Sequence, residues 1–93
     1  MATRQPLESN VEAAVIARSI HPERDDLSRE AAEALLHFGL EREDLDRLHL
    51  LITKNQDDAL TPAEKADLES YLRLSSIFDL MHAKARRSLK KHA

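Results

Sequence analysis

The chain has 93 residues, no cysteine, one glycine and three aromatic residues, Phe38, Tyr71 and Phe78. That leaves room for one domain, excludes a disulfide framework, a thiolate metal site and a thiol nucleophile, and argues against modules that stack nucleic-acid bases on exposed rings. The net charge of −3 is unevenly placed: Lys84, Arg86, Arg87, Lys90 and Lys91 give residues 84–93 a charge of +5 with no acid, and the rest of the chain carries −8.

Residues 1–10 are polar, contain Pro6 and read as a flexible arm ahead of a single helical domain over 11–93. Arg4 is followed by no apolar stretch, so no signal peptide is expected. The longest apolar runs fall far short of the roughly 20 residues a membrane span needs, and a soluble, cytoplasmic protein is the expectation.

Residues 11–20 admit two readings. Val11, Ala14, Val15 and Arg18 follow helical spacing behind a possible Asn10 cap, whereas the β-branched stretch around Val15 and Ile16 suits an extended segment. Pro22 ends either one, because the residue before a proline is pushed out of the α region. Ser28 then caps a helix over about 28–38, with Glu30 in its first turn and Ala31, Ala32, Leu35, Leu36 and Phe38 as its apolar face. Gly39, the only glycine, falls where a helix end favours positive φ.

A third helix is expected over about 41–55, acidic at its start and lined by Leu45, Leu48, Leu51 and Ile52. The turn after it ends on Asp58, a residue able to adopt the left-handed conformation at a cost glycine would avoid. Thr61-Pro62-Ala63-Glu64 is the sharpest local signal: a threonine cap, proline at N1 and a glutamate at N3 that can bond back to the cap. No glycine or proline follows, so one helix should run over about 62–91, roughly 45 Å at 1.5 Å per residue. The fold class is therefore all-α, with three to four helices and the long C-terminal one packed against the shorter ones.

The long helix carries two candidate surfaces. Leu68, Tyr71, Ser75, Phe78, His82, Ala85 and Leu89 alternate by three and four, and Leu72, Leu74, Ile77, Leu80 and Met81 widen the middle. A mid-section apolar nearly all round calls for cover on more than one side. Two antiparallel short helices on its first half would cover only one. Leu72, Ile77, Phe78, Met81, Ala85 and Leu89 are therefore the expected contact residues for a protein partner or a second copy, and oligomerisation is the usual supplement for a chain this small. At the basic tip, Lys84, Arg87 and Lys91 share one face and Arg86 and Lys90 a second. Such cations complement the helix dipole, and they are also the basis of an alternative reading, a nucleic-acid-binding regulator.

Other chemistry finds little support. His49, Asp79 and His82 suggest a metal without the further carboxylates a di-iron bundle requires, and Asp57 and Asp58 near Glu64 lack the ligand spacing of a calcium loop. One glycine leaves no phosphate loop or oxyanion nest, so no catalytic residues, metal or cofactor are expected and the chain is not read as an enzyme. A helix-turn-helix over 28–55 would present Glu41, Glu43, Asp44 and Asp46 to phosphates, which is electrostatically wrong.

Five blocks in order carry a resemblance: Ile20-His21-Pro22; Leu27-Ser28-Arg29-Glu30-Ala31-Ala32; Lys54 with Leu60-Thr61-Pro62-Ala63-Glu64; Leu68-Glu69-Ser70-Tyr71; and Lys84-Ala85-Arg86-Arg87-Ser88-Leu89-Lys90. In these the chain resembles a family of small uncharacterised bacterial all-helical proteins encoded beside HNH-type nucleases or toxin-like genes. The resemblance spans about residues 15–91 and implies an antitoxin-like or accessory role. The chain departs from the family at Asp58, where glycine is usual, and at Leu48, where methionine is.

Overall fold

The computed structural model describes residues 10–93. It contains four helices, α1 (Val11–Ile20), α2 (Arg29–Leu36), α3 (Arg42–Gln56) and α4 (Pro62–Lys91), and no strand among the described residues. The all-α class and the long C-terminal helix are as expected. So are three caps: Asn10 Oδ1 accepts from the Ala13 N–H, Ser28 Oγ from that of Ala31, and Thr61 and Glu64 form the reciprocal capping box. Each cap satisfies backbone donors that a first helical turn leaves unpaired. The first segment is helix rather than extended; of the expected arm only Asn10 lies within the described residues.

The helices are arranged around α4, whose 30 residues correspond to roughly 45 Å and match the 47 Å long dimension of the molecule. The start of α2 meets the end of α4, where the Leu27 N–H donates to Ser88 Oγ. The end of α2 meets its middle, with the Phe38 carbonyl on His82 Nε2. Contacts of α3 continue the descent: Asp44 to Tyr71, Arg47 to Asp67, Lys54 to Glu64. Thus α2 and α3 lie end to end, antiparallel to α4, and between them span its whole length. Helix α1 runs parallel to α4, from a groove shared with Ser70 and Arg73 at Asn10 to Lys84 at Ile20. Among the described residues, α1, α2 and α3 pack on α4 and not on one another.

The thinnest dimension, 17 Å, is that of two helix layers, since axes 8–10 Å apart put the outer Cα atoms about 15 Å apart. One side of α4 therefore stays open, marked by exposed Lys65, Glu69, Leu72, Asp79, Arg86 and Lys90. Buried Leu48, Leu51 and Leu68, flanked by Leu40, Leu60 and Tyr71, form the core under α3. Ala32 and Ala85 are fully buried, which suits close packing of α2 against α4 through small side chains.

Two turn residues differ in outcome. Asp58 is left-handed at φ 55° and closes the α3–α4 turn, with the Ala59 N–H on the Lys54 carbonyl at 2.9 Å. Gly39, expected at positive φ, does not adopt it. Helix α2 ends instead in tightened i→i+3 bonds, from the His37 N–H to Ala34 O and from the Phe38 N–H to Leu35 O, and needs no left-handed residue there. The left-handed residue lies earlier, at His21 (φ 53°), where Pro22 bars continuation of α1.

Candidate interaction surface

The expected contact residues of α4 separate once the chain path is known. Ala85 is fully buried and Ile77 is buried beside α1, so both are spent on internal packing and are not available to another chain. Phe78, Met81 and Leu89 are half-buried, with the Phe78 ring stacked 6.5 Å from that of His82. Leu72 is exposed, but on the open, polar side of α4. The apolar seam is thus mostly covered from within. The expectation that α2 and α3 could protect only the first half of α4 fails because they lie in line rather than side by side.

The basic tip is corrected in the same way. Lys84 is buried; its Nζ donates to the Ile20 carbonyl at 2.7 Å and lies 3.1 Å from Asp26 Oδ1. Arg87 donates to the Pro22 carbonyl and Lys91 lies 3.7 Å from Asp25. His92 Nε2 donates to Leu27 O, and Arg29 donates to the His92 carbonyl. The face shared by Lys84, Arg87 and Lys91 therefore holds the α1–α2 connector against α4, with Lys84 buried and Arg87 and Lys91 still exposed to solvent. The hydrogen bond from Lys84 holds the Asp26 carboxyl below its usual range. Among the described residues Arg86 and Lys90 are exposed and form no ion pair.

Two further polar pairs fix α3. Lys54 lies 2.5 Å from Glu64, and its hydrogen bond together with the Thr61 N–H lowers the Glu64 carboxyl to about 2. Tyr71 donates to Asp44; desolvation and then the Asp44 charge raise its phenol. Asp79, His49 and His82 form no metal cluster: among the described residues no three histidine or acidic side chains converge, and His82 Nε2 is engaged by Phe38 O.

The open apolar surface lies beside α1. A groove of about 260 Å³ runs between α1 and α4, lined by Ala13, Ile16, Ser70, Arg73, Leu74 and Ile77. It adjoins a shallower depression shared by Ser70 and Leu74 with Asp67 and Tyr71. Leu74 is 44% and Ile16 47% exposed. The groove is small and open compared with the roughly 300–1,000 Å³ of small-molecule sites, and it suits a side chain or two of another polypeptide better. Helix α1 also leaves Val11 79% and Val15 46% exposed on the side away from α4. None of these α1 residues stood out as a contact in the sequence, because the turn of α1 about its axis is set by its packing on α4.

No family model matches the chain, and no match is found among curated proteins or solved structures. No helix of the described residues is long and apolar enough to cross a membrane.

Proposed function

We propose that this chain is a small non-enzymatic interaction module that docks another polypeptide on α4 where α1 leaves it uncovered. The carrying observation is Leu74, a large apolar residue lining the α1–α4 groove, 44% exposed beside exposed Ile16 and half-buried Tyr71. A contiguous apolar surface with a charged rim, here Arg73 and Asp67, is how docking sites are built. The block resemblance directs the partner towards the product of a neighbouring gene, in an antitoxin-like or accessory role. Nucleic-acid binding is the weaker reading, since Lys84, Arg87 and Lys91 are occupied by the connector. The experiment is site-specific photo-crosslinking in the cells that express the protein. A benzophenone at Leu74 should yield a defined adduct, and one at Asp79, on the open polar face, should not. Equal adducts at both positions, or none at Leu74, refute the proposal.

A further inference from the structure

A depression of about 480 Å³ lies where the end of α1 and the start of the connector meet Leu80 of α4. Ala17, Pro22 and Leu80 are its apolar lining, and Arg18, His21 and Glu23 its polar part. It exceeds the Leu74 groove and reaches the roughly 300–1,000 Å³ of ligand sites. Its backbone wall is held on both sides of left-handed His21: Lys84 donates to the Ile20 carbonyl and Arg87 to that of Pro22. A left-handed histidine persists where its surroundings fix it. The wall is therefore set before anything binds, and little ordering is lost on binding.

The depression continues into a second, of about 290 Å³, lined by Ala83, Arg86, Arg87 and Lys90. The two meet at Pro22, which lines the first and whose carbonyl is bonded by Arg87 of the second. On α4, Leu80, Ala83 and Arg87 follow at i, i+3 and i+7 and so share a face. Among the described residues Arg18, Arg86 and Lys90 form no ion pair, and Glu23 lies 3.6 Å from His21 Nδ1. Asp79 is the last acid of the chain. It closes the basic stretch on its N-terminal side, so a ligand bearing carboxylates stays off it.

We infer that these two depressions form one docking site for an acidic polypeptide segment with an apolar anchor. The anchor side chain enters between Ala17, Pro22 and Leu80, and neighbouring carboxylates meet Arg86, Arg87 and Lys90. Leu80 to Lys90 is about 15 Å of helix, the length of roughly four or five extended residues. A nucleic-acid duplex fits worse. Exposed Glu23, Asp25 and Asp26 of the connector would face its phosphates, and no phenylalanine or tyrosine lines either depression to stack a base. The site goes beyond the Leu74 reading and does not depend on it, since Arg18 lies on the other flank of α1 from Glu12 and Ile16 of that groove.

The test is fluorescence anisotropy with fluorescein-labelled peptides, the full chain being titrated to about 1 mM at roughly 0.15 M salt. The probe has one leucine flanked on each side by three glutamates, so that either chain direction fits. It should bind with a dissociation constant between about 10 and 500 μM, as an interface under roughly 1,000 Å² allows. Serine in place of the leucine should weaken binding about fivefold, the effect of half-burying one leucine side chain. Glutamine in place of every glutamate should weaken it at least about tenfold. Arg86→Glu with Lys90→Glu, both on the surface, should also weaken it at least about tenfold and keep the leucine preference. Ala17→Gln fills the apolar half without removing a packed atom and should reduce that preference to within about twofold. No binding at the highest concentration overturns the inference. So does equal binding of the leucine and serine peptides, or a leucine preference that survives Ala17→Gln. A short DNA duplex bound more tightly than the peptide under the same conditions overturns it in favour of nucleic acid. None of these outcomes bears on the crosslinking test at Leu74.

Discussion

Replacement of Lys84 is the most informative perturbation, because the same residue has opposite consequences under two views of the basic tip. If it were an outward cation for phosphates, its removal would leave stability unchanged. In the structure it is 9% exposed and donates to the Ile20 carbonyl at 2.7 Å. Lys84→Met keeps most of the apolar stem and removes only the charged hydrogen bond, for which about 1.5–3 kcal/mol is expected. The Asp26 contribution is discounted, since that carboxylate side chain is 54% exposed and screened by water. Lys84→Ala also removes about three buried methylenes at ~0.8 kcal/mol each, for a total near 4–5 kcal/mol. A chain of this size has roughly 5–14 kcal/mol of stability, so the alanine variant approaches unfolding at the low end. Urea denaturation followed by circular dichroism at 222 nm measures both. A Lys84→Met variant within about 0.5 kcal/mol of the parent, the usual range for surface changes, would refute the clamp and return Lys84 to the surface.

Three further outcomes are expected. Asp58→Gly relieves a left-handed aspartate at φ 55° and should raise stability by about 0.5–1 kcal/mol, read as a shift in the urea midpoint at constant slope. Gly39→Ala should be neutral or stabilising by up to about 1 kcal/mol, because φ there is not positive and an added Cβ would meet only His82 Cε1 at 4.0 Å; a marked loss would show that the close approach matters. Glu64 has a folded-state carboxyl lowered from 4.5 to about 2, so its ionised form is favoured by folding. Its contribution is complete above about pH 4.5 and is lost as pH falls toward 2. Melting temperatures across that window should fall less steeply in Glu64→Gln than in the parent.

The parts legible in the sequence were those set within three or four residues. The Thr61–Glu64 box fixed the start of α4, Asn10 and Ser28 announced their helices, and Asp58 was recognisable as a left-handed turn residue. Gly39 misled because glycine permits positive φ without requiring it, and tightened i→i+3 bonds closed α2 instead. The candidate site was less legible. Ile77, Phe78, Met81, Ala85 and Leu89 were correctly apolar, yet periodicity shows only that a face needs cover and not which chain supplies it. Leu74 acquired meaning only from the groove left after packing.

The basic tip marks the division most clearly. Sequence alone determined that Lys84, Arg87 and Lys91 share one face of α4, since that follows from 3.6 residues per turn. Tertiary structure alone decided that this face holds the α1–α2 connector. The bonds from Lys84 to Ile20 and from Arg87 to Pro22 join residues 64 and 65 positions apart. Helix periodicity and capping are short-range and repeat wherever the residues recur. Which carbonyl meets which ammonium across such a separation depends on α1 running parallel to α4 and on α2 and α3 laid end to end against it, and no local pattern encodes that path.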